Sequence, residues 1–95
     1  MPAPKLPPGA PWKPPEWGVA DAAAVQALAR GDATPAQQQR ALAWIVEGAC
    51  GTYDLSWRPN DPHWTSFAEG RRFVGLELVK LTRMNLAAMR KVPNG

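Results

Sequence analysis

Thr65-Ser-Phe-Ala-Glu-Gly-Arg-Arg-Phe-Val-Gly-Leu76 decides the reading of this chain. It is the densest part of the longest segment with helical apolar spacing, which runs from Asn60 to Lys91. Asp61 and Pro62 carry the cap-and-proline signal of a helix start. From there a helix is expected to about Arg90, near 30 residues or roughly 45 Å long. At 100° per residue, Trp64, Phe67, Ala68, Arg71, Val74, Gly75, Leu78, Leu81, Thr82, Leu86 and Met89 share one broad sector. Phe73, Leu76 and Met84 fall outside it. A helix apolar on more than one side needs the other helices on both flanks, or a second chain.

Within that sector Arg71 is expected to be an internal tie. A buried unpaired charge is costly, so its guanidinium should reach Glu47, Asp54 or Asp61, cap backbone carbonyls or leave the core by snorkelling, the functional alternative being a contact to phosphate or to a partner protein. Arg72 points about 100° away and is the better outward contact. Gly70 and Gly75 each cost roughly 1 kcal/mol against alanine inside a helix, a cost that either is simply tolerated in a long helix or marks close approach of another backbone or of a bulky side chain such as Trp57 or Trp44. Gly75 fits this best.

Working outward, two shorter helices precede the long one. Val19 to Arg30 has Asp21 as the expected cap, with Ala22, Val25, Leu28 and Ala29 on one face and Gly31 at the stop. Thr34-Pro35 opens the next, expected to reach Ala49, with Gln38, Leu42, Ile45, Val46 and Ala49 on its face. Trp44 lies toward the other side, where it covers a neighbouring segment or meets a partner. Between the second and third helices, Tyr53, Leu55 and Trp57 alternate with Asp54 and Ser56. With no second strand to pair with, this reads as an extended, partly buried loop. The fold class is all-α: a small three-helix domain over residues 19–95 with a long C-terminal helix, preceded by an extended arm over residues 1–18.

That arm holds seven of the eleven prolines, a density that excludes helix and sheet and favours polyproline II. Trp12 and Trp17 set it apart from ordinary disordered tails, which are poor in aromatics. Composition alone allows a disordered arm; the tryptophans favour a clamp laid across a neighbour, with Trp12 and Trp17 as its anchors. The chain has five tryptophans, more large aromatic surface than a domain of 95 residues hides easily, so some are expected at partner surfaces.

Charge narrows the function classes. The net charge is +3, modest for a nucleic-acid binder. From Trp57 onward there are seven basic residues against three acidic, and from Ala20 to Ser56 two against four. Parts of neighbouring copies could therefore attract each other. Arg72, Lys80, Arg83, Arg90 and Lys91 make DNA binding or packaging the alternative function. His63 is the lone histidine and Cys50 the lone cysteine. Without further ligands or an orienting group they make neither a metal site nor a nucleophile-base pair, so no enzyme, metal or cofactor is expected. One cysteine also suits a reducing compartment. The proline-broken start lacks a signal peptide's apolar region, and no apolar run reaches the roughly 18 residues of a membrane span, so a soluble protein is expected.

Phe67, Glu69, Gly70, Arg71, Arg72, Val74, Gly75 and Leu76 form a pattern that resembles a small family of virion-associated proteins of short-tailed bacteriophages. The likeness extends over about residues 40–83 and leaves the arm outside. It implies a structural component near the portal, tail or internal ejection proteins, present in several copies in a symmetric assembly. The implied location is the virion, with the host cytoplasm during assembly. The motif residues Phe67, Glu69, Gly70, Arg71, Val74 and Gly75 transfer as fold determinants only. Partner contacts are expected at Trp12, Trp17, Trp44, Arg72, Phe73 and Leu76.

Overall fold

The computed structural model describes residues 9–90; the first eight residues of the arm and Lys91 lie outside the described residues. The described chain is all-α, with helices α1 (Val19–Arg30), α2 (Pro35–Ala43), α3 (Pro62–Arg83) and α4 (Leu86–Arg90). A π-helical segment, Trp44–Ala49, continues α2 without a break. The three expected helices are present, and the long one lies in the C-terminal part.

Local chemistry sets the helix ends. Thr34 Oγ1 accepts from the Gln37 amide at 3.2 Å while Gln37 Oε1 accepts from the Thr34 amide at 3.0 Å, a reciprocal cap with Pro35 in the first helical position. Asp61 Oδ1 accepts from the Trp64 amide at 3.0 Å to start α3. α1 spans the expected Val19–Arg30, but its cap lies three residues before Asp21. Gly18 is the capping residue, and Asp21, three positions on, accepts from the Gly18 amide at 2.9 Å. Gly31, in the left-handed region, closes α1 as expected.

The long helix is shorter than its pattern suggests. It ends at Arg83 because Met84 is extended, and Asn85 restarts the chain by accepting from the Ala88 amide at 3.1 Å. An asparagine cap inside an apolar pattern is a restart signal that helical spacing alone does not register.

Packing joins α1 to α2, and the π-helical segment to α3. α1 and α2 meet through alanines: Ala24, Ala27 and Ala41 are buried, whereas Leu28 and Leu42 are exposed. The expected apolar faces are thus rotated toward the small side chains, which let the two backbones come close. α3 buries only Ala68 and Gly75. Phe67, Val74, Leu81, Leu86 and Met89, expected inside, are exposed, because α1 and α2 do not flank the far side of α3. The result is elongated, with a Cα radius of gyration of 17.0 Å, where a compact chain of this length would have about 12 Å.

Candidate docking surface

The π-helical segment presents the surface on which α3 lies. Its wide turn is visible in the Cys50 amide, which donates to the Ile45 carbonyl at 2.9 Å, five residues back. Gly51 then turns left-handed (φ 58°), and the Thr52 amide and hydroxyl both donate to the Val46 carbonyl, at 3.2 and 2.6 Å. This closure reaches one residue further than the usual helix-ending bond from C″ to C3. It buries Thr52 and Cys50 directly against Gly75. A Cβ on Gly75 would lie 1.7 Å from Thr52 Oγ1 and 2.9 Å from Cys50 Cβ. The expected close approach at Gly75 is there, but its neighbours are Thr52 and Cys50, not a tryptophan. Gly70 meets nothing within 4 Å.

Two arginines fasten the arm and the loop to this junction. Arg58 donates from Nε to the Gly9 carbonyl at 2.6 Å, and from Nη1 to the carbonyls of Leu55 at 2.6 Å and Ser56 at 3.0 Å. Its own amide donates to Thr65 Oγ1 at 2.8 Å, tying it to α3. Arg71 Nη1 donates to the Pro11 carbonyl, and its buried Nε has no partner among the described residues. Arg71 is therefore a carbonyl-capping arginine with no ion pair among the described residues. Pro11 is fully buried beneath it. Trp12 meets Trp64 edge-on with ring centroids 5.0 Å apart, and meets Phe67 at 6.4 Å. Residues 9–18 thus lie along their own chain, and Trp12, though 44% exposed, is partly committed there.

Because the loop is held by backbone carbonyls, its apolar side chains turn outward. Tyr53, Leu55 and Trp57, expected to be partly buried, are 64%, 73% and 60% exposed. Ser56 and Arg58 are the half-buried members. Tyr53 and Leu55 line a broad hollow of about 640 Å³ together with Thr52, Asp54, Arg72 and Leu76. Two of the expected partner residues, Arg72 and Leu76, meet here. Arg72 is half-buried rather than fully outward and pairs with Glu69 at 3.5 Å. Phe73, on the exposed side of α3, does not line the hollow.

The other expected partner residues lie elsewhere. Trp44 donates its indole N–H to the Glu16 carbonyl at 3.0 Å and so covers the arm. Trp17 is 66% exposed, and with Trp44 it walls a groove of about 250 Å³ on α1. The groove is joined to α2 by the Arg40–Asp21 ion pair at 2.9 Å. The Gly18 amide holds the Asp21 carboxyl below its usual range; desolvation opposes this, and the hydrogen bond and charge of Arg40 add to the lowering.

Of the basic candidates for DNA, Arg72 and Lys80 are paired with Glu69 and Glu77. Cys50 is buried at the α3 junction, while His63 is exposed in the first turn of α3. Among the described residues no group of three or more metal-ligating side chains converges, and no helix is long and apolar enough to cross a membrane. Sequence reasoning missed Arg58, the residue that gathers the most carbonyls. Its signal was slight: an arginine before Pro59, in a loop too short to form secondary structure of its own.

Compared with known proteins, the chain matches no family model, no curated protein and no solved structure.

Proposed function

We propose that this chain is a small structural or accessory protein of a tailed-phage virion that docks on a larger assembly, at the portal, the tail or the internal ejection proteins. The observation that carries the reading is the inversion of its apolar surface. Its buried apolar residues are mainly alanines, with Pro11, Val46 and Cys50, while Tyr53, Leu55, Trp57, Phe73, Val74 and Leu81 each expose more than half of their area. A monomer rarely leaves so much large apolar surface in water unless a partner covers it. The hollow of Tyr53, Leu55, Arg72 and Leu76 supplies what an interface centre uses: aromatic and aliphatic side chains beside an arginine. The phage assignment rests on the motif from Phe67 to Leu76.

The test is incorporation. A tagged copy made during assembly of short-tailed phage particles is expected to copurify with virions at a fixed ratio to the portal protein. Its absence from purified particles overturns the reading. If it instead binds duplex DNA with an affinity that falls steeply with salt, the packaging alternative replaces it.

A further inference from the structure

The groove walled by Trp17 and Trp44 is separate from the hollow on α3. Between the two tryptophans it is lined by Asp21, Ala22, Val25 and Gln26 of α1. The Trp44 indole N–H is already committed to Glu16, whereas the Trp17 indole N–H has no partner among the described residues. Two tryptophans beside Ala22 and Val25 suit an extended proline-rich segment. Polyproline II carries no internal hydrogen bonds, so its carbonyls can accept from an indole N–H, and little ordering entropy is lost when it binds.

The chain carries such a segment. Residues 4–8 read Pro-Lys-Leu-Pro-Pro. At three residues per turn, Pro4 and Pro7 fall on the same edge of a polyproline helix. Lys5 complements Asp21 in the groove lining. The same copy is poorly placed to fill its own groove. In one copy, Gly9 and Pro11 are held by Arg58 and Arg71 at the α3 junction, whereas the groove is lined by α1 and Trp44. We infer that the Trp17–Trp44 groove receives residues 4–8 of a neighbouring copy of this chain, so that copies join head to tail. This rests on the docking reading above and gives the arm its receptor. A heterologous contact of this kind closes into a ring when the rotation permits and otherwise extends as a filament.

The experiment is a complementation in full-length chains, read by sedimentation velocity. One variant loses the groove (Trp17→Ala, with Val25→Arg as a second groove variant). The other loses the arm signal (Pro4→Gly, Pro7→Gly and Pro8→Gly together). Circular dichroism verifies that each keeps its helices. The unaltered chain is expected to sediment at twice the monomer mass or more, rising with concentration. Each variant alone should sediment as a monomer, and an equimolar mixture should recover the dimer mass, because one partner keeps its arm and the other its groove. A monomeric unaltered chain, an arm variant that still associates, or a mixture that stays monomeric overturns the inference. A chain that enters virions yet remains monomeric would refute this contact and leave the docking reading standing. A chain that self-associates but never enters virions would do the reverse.

Discussion

The α1–α2 hairpin and the α3 junction solve the same packing problem by different means. The hairpin is held by local devices: the Thr34–Gln37 cap, the left-handed Gly31, an alanine seam and the Asp21–Arg40 pair. The junction has almost no local support. α3 is fixed by the missing side chain of Gly75, by Thr52 bonded back to Val46, and by Arg58 and Arg71 gathering carbonyls from the loop and arm. A region built on local rules tolerates single losses. One built on a close approach does not, and it leaves the rest of α3 uncovered.

The sharpest way to break this contrast is Gly75→Ala. The added methyl has no room beside Thr52 and Cys50. Overpacking of that kind should cost about 3 kcal/mol, outweighing the gain in helix propensity. Gly70→Ala, five residues away in open space, should instead stabilise by about 0.5 to 1 kcal/mol. Urea unfolding of the two variants should therefore move in opposite directions, and movement in the same direction would remove Gly75 from the centre of the junction.

Arg58→Leu comes next. It strips the carbonyls of Gly9, Leu55 and Ser56 of their shared donor. A loss of about 2 kcal/mol is expected, since the groups it leaves can partly turn to water. Release of the arm should red-shift tryptophan emission as Trp12 leaves Trp64. In the hairpin, Thr34→Ala should cost only about 1 kcal/mol, the usual worth of a helix cap. Equal losses at Arg58 and Thr34 would mean the two regions are not different in kind.

Asp21→Asn should be the smallest and is recognised by its pH dependence. The folded carboxyl is held below the unfolded value, so its contribution is present above the unfolded value and is lost as pH falls through the folded one. The variant should melt slightly lower than the unaltered chain at pH 7. The difference should shrink as pH drops below about 3.8. A gap that persists in acid would mean the side chain acts through packing rather than charge.

What could be read from residues alone follows the same division. Thr34-Pro35, Asp61-Pro62 and Gly31 mark helix ends by chemistry within a few residues, and those ends are where they were expected. Asp21 acts at the start of α1 but from the third helical position rather than the cap: there its carboxylate accepts from the amide of the capping residue, Gly18, whereas a capping aspartate would accept from an amide inside the first turn. The Asn85 restart was open to the same kind of reading but was hidden by the apolar pattern running through it. Burial was less legible. Helical projection places Phe67, Val74 and Leu81 beside Gly75 on a wheel, but it does not say which part of a sector another element reaches. The reach is set by Thr52 and the π-helical turn, which pack on α3 at Gly75. The candidate surface is half visible in the sequence: Arg72 and Leu76 stand out on α3, while the alternation of Tyr53, Leu55 and Trp57 reads as a partly buried loop and carries no sign of the Arg58 bonds to the Leu55 and Ser56 carbonyls that hold it.

The central claim is that the hollow of Tyr53, Leu55, Arg72 and Leu76 is exposed for a partner and not for the fold. Incorporation of Leu55→Glu/Leu76→Glu into phage particles, measured beside its thermal midpoint, tests this most directly. Leu55 is 73% and Leu76 41% exposed, and surface changes of this sort alter stability by no more than about 0.5 kcal/mol. The account predicts an essentially unchanged midpoint and loss of the chain from virions. Normal incorporation at a normal midpoint would contradict it.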